Sequence, residues 1–292
     1  MPPEKVMKFR IGYELRFEFA QPTPVVLMLQ VHDTRAADLE KPDTIRTLPP
    51  VAMSPYIDTF GNRCCRLVAP AGEMTISTDT IASDDGLPDR IAAHARQVPV
   101  ESLPDDALLY LLASRYCDSD LLSSVAWTLF AYIEPGWARV QAICDFVHER
   151  ITFDYTAARP TRTALGAYED KRGVCRDYAH LAIALCRALN VPARYCTGYL
   201  SDVGTPKPYP AGDFAAWFEA YLGGEWHTFD PRNNVPRIGR FLMARGRDAA
   251  DVAITTTFGA NTLAGFRVRT DEISYLATLG PAAASRVNAR AA

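Results

Sequence analysis

The sequence predicts a protein of the α+β class, with a β-rich N-terminal domain followed by a domain that mixes helices and strands. Residues 8–83 alternate apolar and polar positions between turns that contain Gly or Pro, as antiparallel strands do. From about residue 104 the apolar residues recur at helical spacing, and strands return after residue 190. Such segregated runs of strands and helices are typical of α+β folds.

The N-terminal strands follow directly from this alternation. We expect one strand in "KFRIGYELRFEF" (8–19), another in "PVVLMLQVHD" (24–33), and two more within 58–80, separated by the turn residues Ala71-Gly72. "SDDGLPDR" is expected to be a loop.

The helical part begins with "DDALLYLLASRYC" (105–117), followed by the predicted helices 120–133 and 136–151. "VCRDYAHLAIALCRALN" (174–190) predicts a further helix, and "ARYCTGYL" the strand after it.

We therefore divide the chain into residues 1–100, the β-rich domain, and 101–278, the α+β domain. The last segment, 279–292, has no periodicity and is expected to be a flexible tail.

Composition and charge restrict the class of function. The formal net charge is −3, whereas a nucleic-acid-binding protein normally carries a basic excess. We see no run of about 18 apolar residues and no apolar signal-peptide core, so we expect no membrane partner and a cytoplasmic location. The seven cysteines contain no CxxC pair and predict free thiols without a structural zinc site.

Cys175 differs from the other cysteines in its position. It falls in the first turn of the helix predicted after Gly173, where unpaired backbone N–H groups and the helix dipole favour a thiolate. Cys175, Ala179, Ala182 and Cys186 share one face of small residues, suited to close packing. On position alone, Cys175 is either a nucleophile or a core residue like Cys186.

The segment "GDFAAWFEAYLGGEWHTFDP" (212–231) predicts a β-hairpin with the two-residue turn Gly223-Gly224. With that turn, Trp217 lies opposite Asp230, and positions 215 and 230 share one face of the sheet. The two positions are diagonal neighbours, about 7–8 Å apart. An imidazole at position 215 would therefore be held by Asp230, but the residue there is Ala215.

These segments resemble the bacterial branch of the transglutaminase-like cysteine peptidase superfamily. The resemblance rests on "GVCRDYAHLAIALCRALNVPARYCTGYL", "DFAAWFEAYLGGEWHTFDP" and "GRDAADVA", and "DTFGNRCCRL" resembles the N-terminal domain of these proteins. It implies a papain-like transglutaminase core, in which the helix bearing the nucleophile packs on an antiparallel sheet. On the family pattern, Cys175 is the nucleophile, Asp230 is the third member of the catalytic triad, and Ala215 replaces the catalytic histidine.

The resemblance implies acyl transfer on a peptide or protein amide through a Cys thioester, without metal or organic cofactor. Hydrolysis and transfer to an amine both remain open, and so does the oligomeric state. Loss of the histidine predicts strong impairment, because a positioned acid–base group contributes ~10²–10⁴-fold to rate. Ala215 is either an engineered substitution or a natural loss. The alternative function is a non-catalytic peptide- or protein-binding module on the same scaffold.

Other residues are weaker candidates. Tyr155 is expected to border the substrate cleft, and Trp217 and Trp226 to wall it, although ordinary core packing explains all three as well.

No other histidine is expected to serve as the base. Alternation places His227 on the face opposite Asp230, and His180 lies about 140° round the helix from Cys175, where a surface or capping role is expected. The remaining three, His32, His94 and His148, belong to elements that nothing in the sequence places near the site.

Overall fold

The computed structural model describes residues 7–209 and 211–273. Its N-terminal part consists of strands joined by loops and one short 3₁₀ helix. They are β1 (Met7–Phe19), β2 (Thr23–Leu27), β3 (Arg46–Leu48), β4 (Met53–Ile57), β5 (Arg63–Ala69) and β6 (Gly72–Asp84). The long strand over 8–19 and the strand that starts at Gly72 are confirmed. The expected strand over 24–33 is shorter, because the chain leaves β2 at Leu27 and forms the 3₁₀ helix over Asp33–Asp38.

Helices follow and surround one central helix. They are α1 (Asp105–Leu108), α2 (Ser123–Phe130), α3 (Trp137–Arg150), α4 (Ala164–Asp170) and α5 (Cys175–Ala188), with the two-residue strands β7 (Thr152–Phe153) and β8 (Arg172–Gly173) between them. The continuous helix expected over 105–117 is wrong. Its first turn, α1, passes into a 3₁₀ turn over Leu109–Leu111, and the chain then becomes irregular. None of the helices within the described ranges is long and apolar enough to cross a bilayer.

The remaining chain returns to strands. These are β9 (Ala193–Leu200), β10 (Ala215–Leu222), β11 (Glu225–Phe229), β12 (Arg240–Gly246), β13 (Thr255–Thr257) and β14 (Asn261–Glu272). Three four-stranded sheets result, in the orders β14-β1-β6-β3, β13-β2-β5-β4 and β11-β10-β9-β12. Every pairing within them is antiparallel. The predicted α+β class, with a strand-rich N-terminal region and a helix-on-sheet core, is confirmed.

The division at residue 100 needs a correction at its far end. Strands β13 and β14 belong to the segment assigned to the second domain, yet β13 pairs with β2 and β14 pairs with β1. The β-rich part is therefore completed by residues 255–272, because strands pair through space and not in chain order. The predicted tail, 279–292, lies outside the described residues.

Helix α5 forms the centre of the second domain. Eleven of its residues, from Asp177 to Arg187, are buried on every side by helices α2, α3 and α4 and by the sheet that contains β10. The predicted small-residue face is part of this packing, since Ala179, Ala182 and Cys186 are fully buried. Small side chains allow close approach of the helix to its neighbours, which fixes the position of its first residue.

Candidate active site

The start of α5 is held by a buried ion pair. The Asp177 carboxylate accepts a hydrogen bond from the Val174 backbone N–H at 2.9 Å and pairs with the Arg162 guanidinium at 3.1 Å. A Cβ added to Gly173 would lie 2.6 Å from the same Asp177 oxygen, so this position needs glycine. The helix therefore presents its first residue, Cys175, from a rigid support.

The hairpin has the predicted register. Leu222 pairs with Glu225, and Gly223 and Gly224 both have positive φ (62° and 96°), as a type I′ turn requires. Strand β10 begins at Ala215, which pairs with Gly198 of β9 on its other side. Because the hairpin is in this register, position 215 and Asp230 lie on the same face of the sheet.

Cys175 and Ala215 line one cavity of about 390 Å³. Cys175 is partly buried, and the backbone N–H groups of Ala216 and Arg176 lie close enough to its sulfur to lower the pKa of the thiol. The loop after β11 contributes Arg232 and Asn233 to the lining of the cavity. The structure thus brings the predicted nucleophile to the start of β10, beside position 215.

The protonation of Cys175 differs from the sequence expectation. Burial, and to a smaller extent the nearby Asp213 carboxylate, raises the pKa of the Cys175 thiol to about 11. Arg232 and the two backbone N–H groups act in the other direction but do not compensate. The expected net lowering of this pKa in the Ala215 form is therefore wrong, because loss of solvent around the sulfur outweighs the N–H groups at the helix start.

Asp230 is buried, and both of its carboxylate oxygens accept hydrogen bonds. Its Oδ1 accepts from the Asn233 backbone N–H at 3.0 Å, and its Oδ2 accepts from Asn233 Nδ2 at 2.8 Å and from Arg240 Nη2 at 3.0 Å. One oxygen, Oδ1, thus has a single partner and can accept a further N–H. None of the contacts to Asp230 involves the side chain of residue 215.

Asp213 is a residue that the sequence reasoning missed. It lines the cavity beside Cys175 and accepts a hydrogen bond from the Tyr155 hydroxyl at 3.3 Å. Burial raises the pKa of the Asp213 carboxyl. Its position two residues before Ala215 in the "DFAAW" segment was the available signal. Tyr155 also lines this cavity, and its role in a substrate cleft stays a prediction.

The expected place of Trp217 and Trp226 in the cleft wall requires correction. Trp217 is 1% exposed and packs against Cys196 and Leu242, with the Arg240 guanidinium 4.6 Å from the ring. Trp226 contacts Tyr110, Tyr221 and Arg194 at the other end of the hairpin. Neither tryptophan lines the cavity.

The other histidines do not line the cavity. His227 is buried beside Trp137, on the face opposite Asp230 as predicted. The surface role expected of His180 is wrong, since it is fully buried, although it does accept from the Ala249 backbone N–H at 3.1 Å.

His148 is nearer than the sequence indicated. Its Nδ1 is 3.1 Å from the Pro231 carbonyl oxygen, next to Asp230, on an exposed side chain outside the cavity. Within residues 7–209 and 211–273, no group of three or more His, Cys, Asp and Glu side chains is arranged to hold a metal ion.

A helix that carries a cysteine at its first residue and packs on an antiparallel sheet is the arrangement of a papain-like transglutaminase core. Residues 128–231 match the family model of the transglutaminase-like superfamily. A crystal structure of a candidate cysteine protease from Cytophaga hutchinsonii is similar over 92% of both chains, with 31% identity and a TM-score of 0.81. The chain belongs to the transglutaminase-like superfamily.

Mycobacterial proteins are also similar in sequence. An uncharacterized protein of Mycobacterium leprae is 28% identical over 232 residues, which are 72% of this chain and 77% of that protein. An uncharacterized protein of Mycobacterium tuberculosis is 27% identical over 222 residues, which are 70% and 71% of the two chains. These likenesses extend well beyond residues 128–231.

Proposed function

We propose that the fold is built for acyl transfer on amide bonds of peptides or proteins, and that the sequence with Ala215 is strongly impaired in it. The observation that carries this proposal is the single cavity lined by Cys175, Ala215 and Asp213. Asp230 lies on the sheet face of position 215 with an oxygen able to accept an N–H.

The reaction needs two proton transfers that a histidine at position 215 would perform. The imidazole takes the proton of Cys175, and the thiolate sulfur bonds to the amide carbonyl carbon, whose oxygen becomes negative. The C–N bond then breaks, and the amine leaves with the proton from the imidazolium, so that a thioester remains. Water or a second amine attacks the thioester and releases the thiol. The N–H groups of Ala216 and Arg176 are suited to bind the oxyanion.

The methyl group of Ala215 can neither accept the proton of the Cys175 thiol nor donate a proton to the leaving amine. With the pKa of Cys175 at about 11, the thiolate fraction at pH 7 is ~10⁻⁴, against a few per cent for a free thiol. The leaving amine also lacks a proton source.

These features favour a second candidate function, a non-catalytic binding module for a peptide or partner protein. The cavity and its walls are present in the Ala215 form, while the thiol is held protonated. A binding protein needs the cavity and its walls but does not need a reactive thiolate.

The test restores the histidine. The Ala215→His variant is incubated with a broad peptide library, with and without an added primary amine, and acyl adducts are sought by intact mass and peptide mapping. We expect an adduct on Cys175 that turns over to acid or to the amine conjugate, and none in the Ala215→His/Cys175→Ser double variant. Absence of any adduct, with peptide binding retained, would favour the binding module.

A further inference from the structure

A second cavity, of about 340 Å³, lies on the other side of Cys175. Its floor is formed by Leu15 and Phe17 of β1, and its wall by Leu263 and Phe266 of β14. We call this space the apolar cavity, and the cavity lined by Ala215 the polar cavity. Cys175 lines both, as do four neighbouring residues: Tyr155, Asp213, Phe214 and Ala216. The thiol thus sits at the boundary between two spaces of different chemistry.

Strand β14 runs along both spaces. Leu263 and Phe266 line the apolar cavity, and the following stretch, 268–272, lines the polar cavity. Eight charged residues line the polar cavity, three of them from this stretch. Those charged residues are Asp202, Lys207, Asp213, Arg232, Arg237, Arg269, Asp271 and Glu272. At about 3.3 Å per residue, the distance from position 263 to position 272 is roughly 30 Å, the length of about nine residues of extended peptide.

The walls of the apolar cavity are unusually open to solvent. Leu263 is 50% exposed and Phe266 is 47% exposed, whereas Leu15 and Phe17 beneath them are buried. A concave apolar surface beside a nucleophile is suited to an apolar side chain of a bound molecule, which gains by leaving water. In the polar cavity the apolar lining is interrupted by charged side chains, which makes it less suited to a large apolar group.

We propose that the cleft binds an extended polypeptide and selects a bulky aliphatic or aromatic side chain in the apolar cavity, next to the amide presented to Cys175. Polar or charged residues of the same chain lie along the polar cavity. This inference deepens the proposed function and rests on it for the identity of the reacting bond. The recognition step itself does not depend on turnover.

Alkylation of the Ala215 protein separates recognition from catalysis. Iodoacetamide and N-benzyl iodoacetamide react alike: the Cys175 sulfur bonds to the methylene carbon, the C–I bond breaks, and iodide leaves. Rates at pH 9 are divided by those of N-acetylcysteine, and mass spectrometry assigns the adduct. We expect the benzyl reagent to be favoured ~10- to 100-fold, the gain of burying most of a phenyl ring.

Matched variants locate the effect. Phe266→Ser and Leu263→Ser should reduce the benzyl preference at least 5-fold, whereas Phe258→Ser should keep it, since Phe258 is 65% exposed and lines neither cavity. The proposal is overturned if the protein shows no benzyl preference. It is also overturned if that preference survives both wall substitutions.

A peptide experiment tests the extended substrate. Two nine-residue peptides that differ only by Phe or Ser at the central position are compared as protectants of Cys175 against iodoacetamide. The Phe peptide should slow labelling at concentrations where the Ser peptide does not, and the difference should vanish in Phe266→Ser. Equal protection by both peptides would refute apolar selection. Failure of the Ala215→His variant to form a thioester would refute the proposed reaction and leave these binding results unchanged.

Discussion

Restoring a histidine at position 215 should make Cys175 markedly more reactive. Ala215→His places an imidazole in the cavity that also holds the thiol, on the sheet face that carries Asp230. An imidazolium beside the sulfur stabilises the thiolate and lowers its pKa from about 11 to at most the free-thiol value of ~8.5. Since a thiol loses its proton as the pH rises, the midpoint of the pH–rate curve moves to lower pH.

The size of the effect follows from two opposing terms. A fall of ~2.5 pKa units raises the thiolate fraction at pH 7 by about 300-fold. The nucleophilicity of each thiolate falls at the same time, with a Brønsted slope of ~0.4–0.5, which costs about one order of magnitude. The net expectation is a 20- to 30-fold faster reaction with iodoacetamide, or roughly 2 kcal/mol in activation free energy.

The assay is iodoacetamide labelling over pH 5–9, with each modified cysteine assigned by mass spectrometry. Ala215→Phe is the matched control, because it fills the same space with a ring that cannot accept a proton. Cys186 is an internal control, since complete burial raises its pKa and blocks access. Equal rates for Ala215→His and Ala215→Phe would refute the assignment of position 215 as the base.

Three further changes test the support of the site. In the Ala215→His background, Asp230→Asn should remove at least ~10-fold of the gain in labelling rate while changing the Ala215 protein less than ~2-fold; equal effects in both would exclude a role in orienting the ring. Burial lowers the pKa of His180 well below 6.5, so on acidification the unfolded chain binds a proton that the folded chain does not. Urea unfolding should therefore show a loss of about 1 kcal/mol in the free energy of unfolding between pH 6.5 and 5.5, and this loss should be absent in His180→Gln. Gly173→Ala should lower the free energy of unfolding by ~1–3 kcal/mol, because its Cβ would meet the ion-paired Asp177, whereas Gly166→Ala, with no neighbour closer than 3.4 Å, should be neutral or stabilising.

The hairpin and the helix start were predictable because local rules decide them. Two adjacent glycines in a two-residue turn fix the register, and the register fixes which residues share a face with Asp230. The position of Cys175 at the first residue of α5 likewise follows from the apolar pattern after Gly173. In both cases the determining residues lie within one element or its turn.

The sequence predictions that were wrong concern which remote residues pack on a given strand or helix. Alternation shows that Trp217 shares a face with Asp230, but the residues that bury it, Cys196 and Leu242, come from β9 and β12. The pairing of β14 with β1 joins opposite ends of the chain, so no local signal revealed that the last strands complete the first domain. The expected lowering of the Cys175 pKa was wrong for the same reason, because burial by residues remote in sequence outweighs the effect of the local helix start.

The surroundings of position 215 explain how alanine can stand there without loss of the fold. Asp230 is held by Asn233 and Arg240, and the start of α5 is held by a separate ion pair, so neither support depends on an imidazole. A methyl group therefore removes the proton carrier and leaves the walls of both cavities in place. This separation makes the chain a direct test of mechanism, since binding to the apolar cavity and thiol activation can be measured independently on one scaffold.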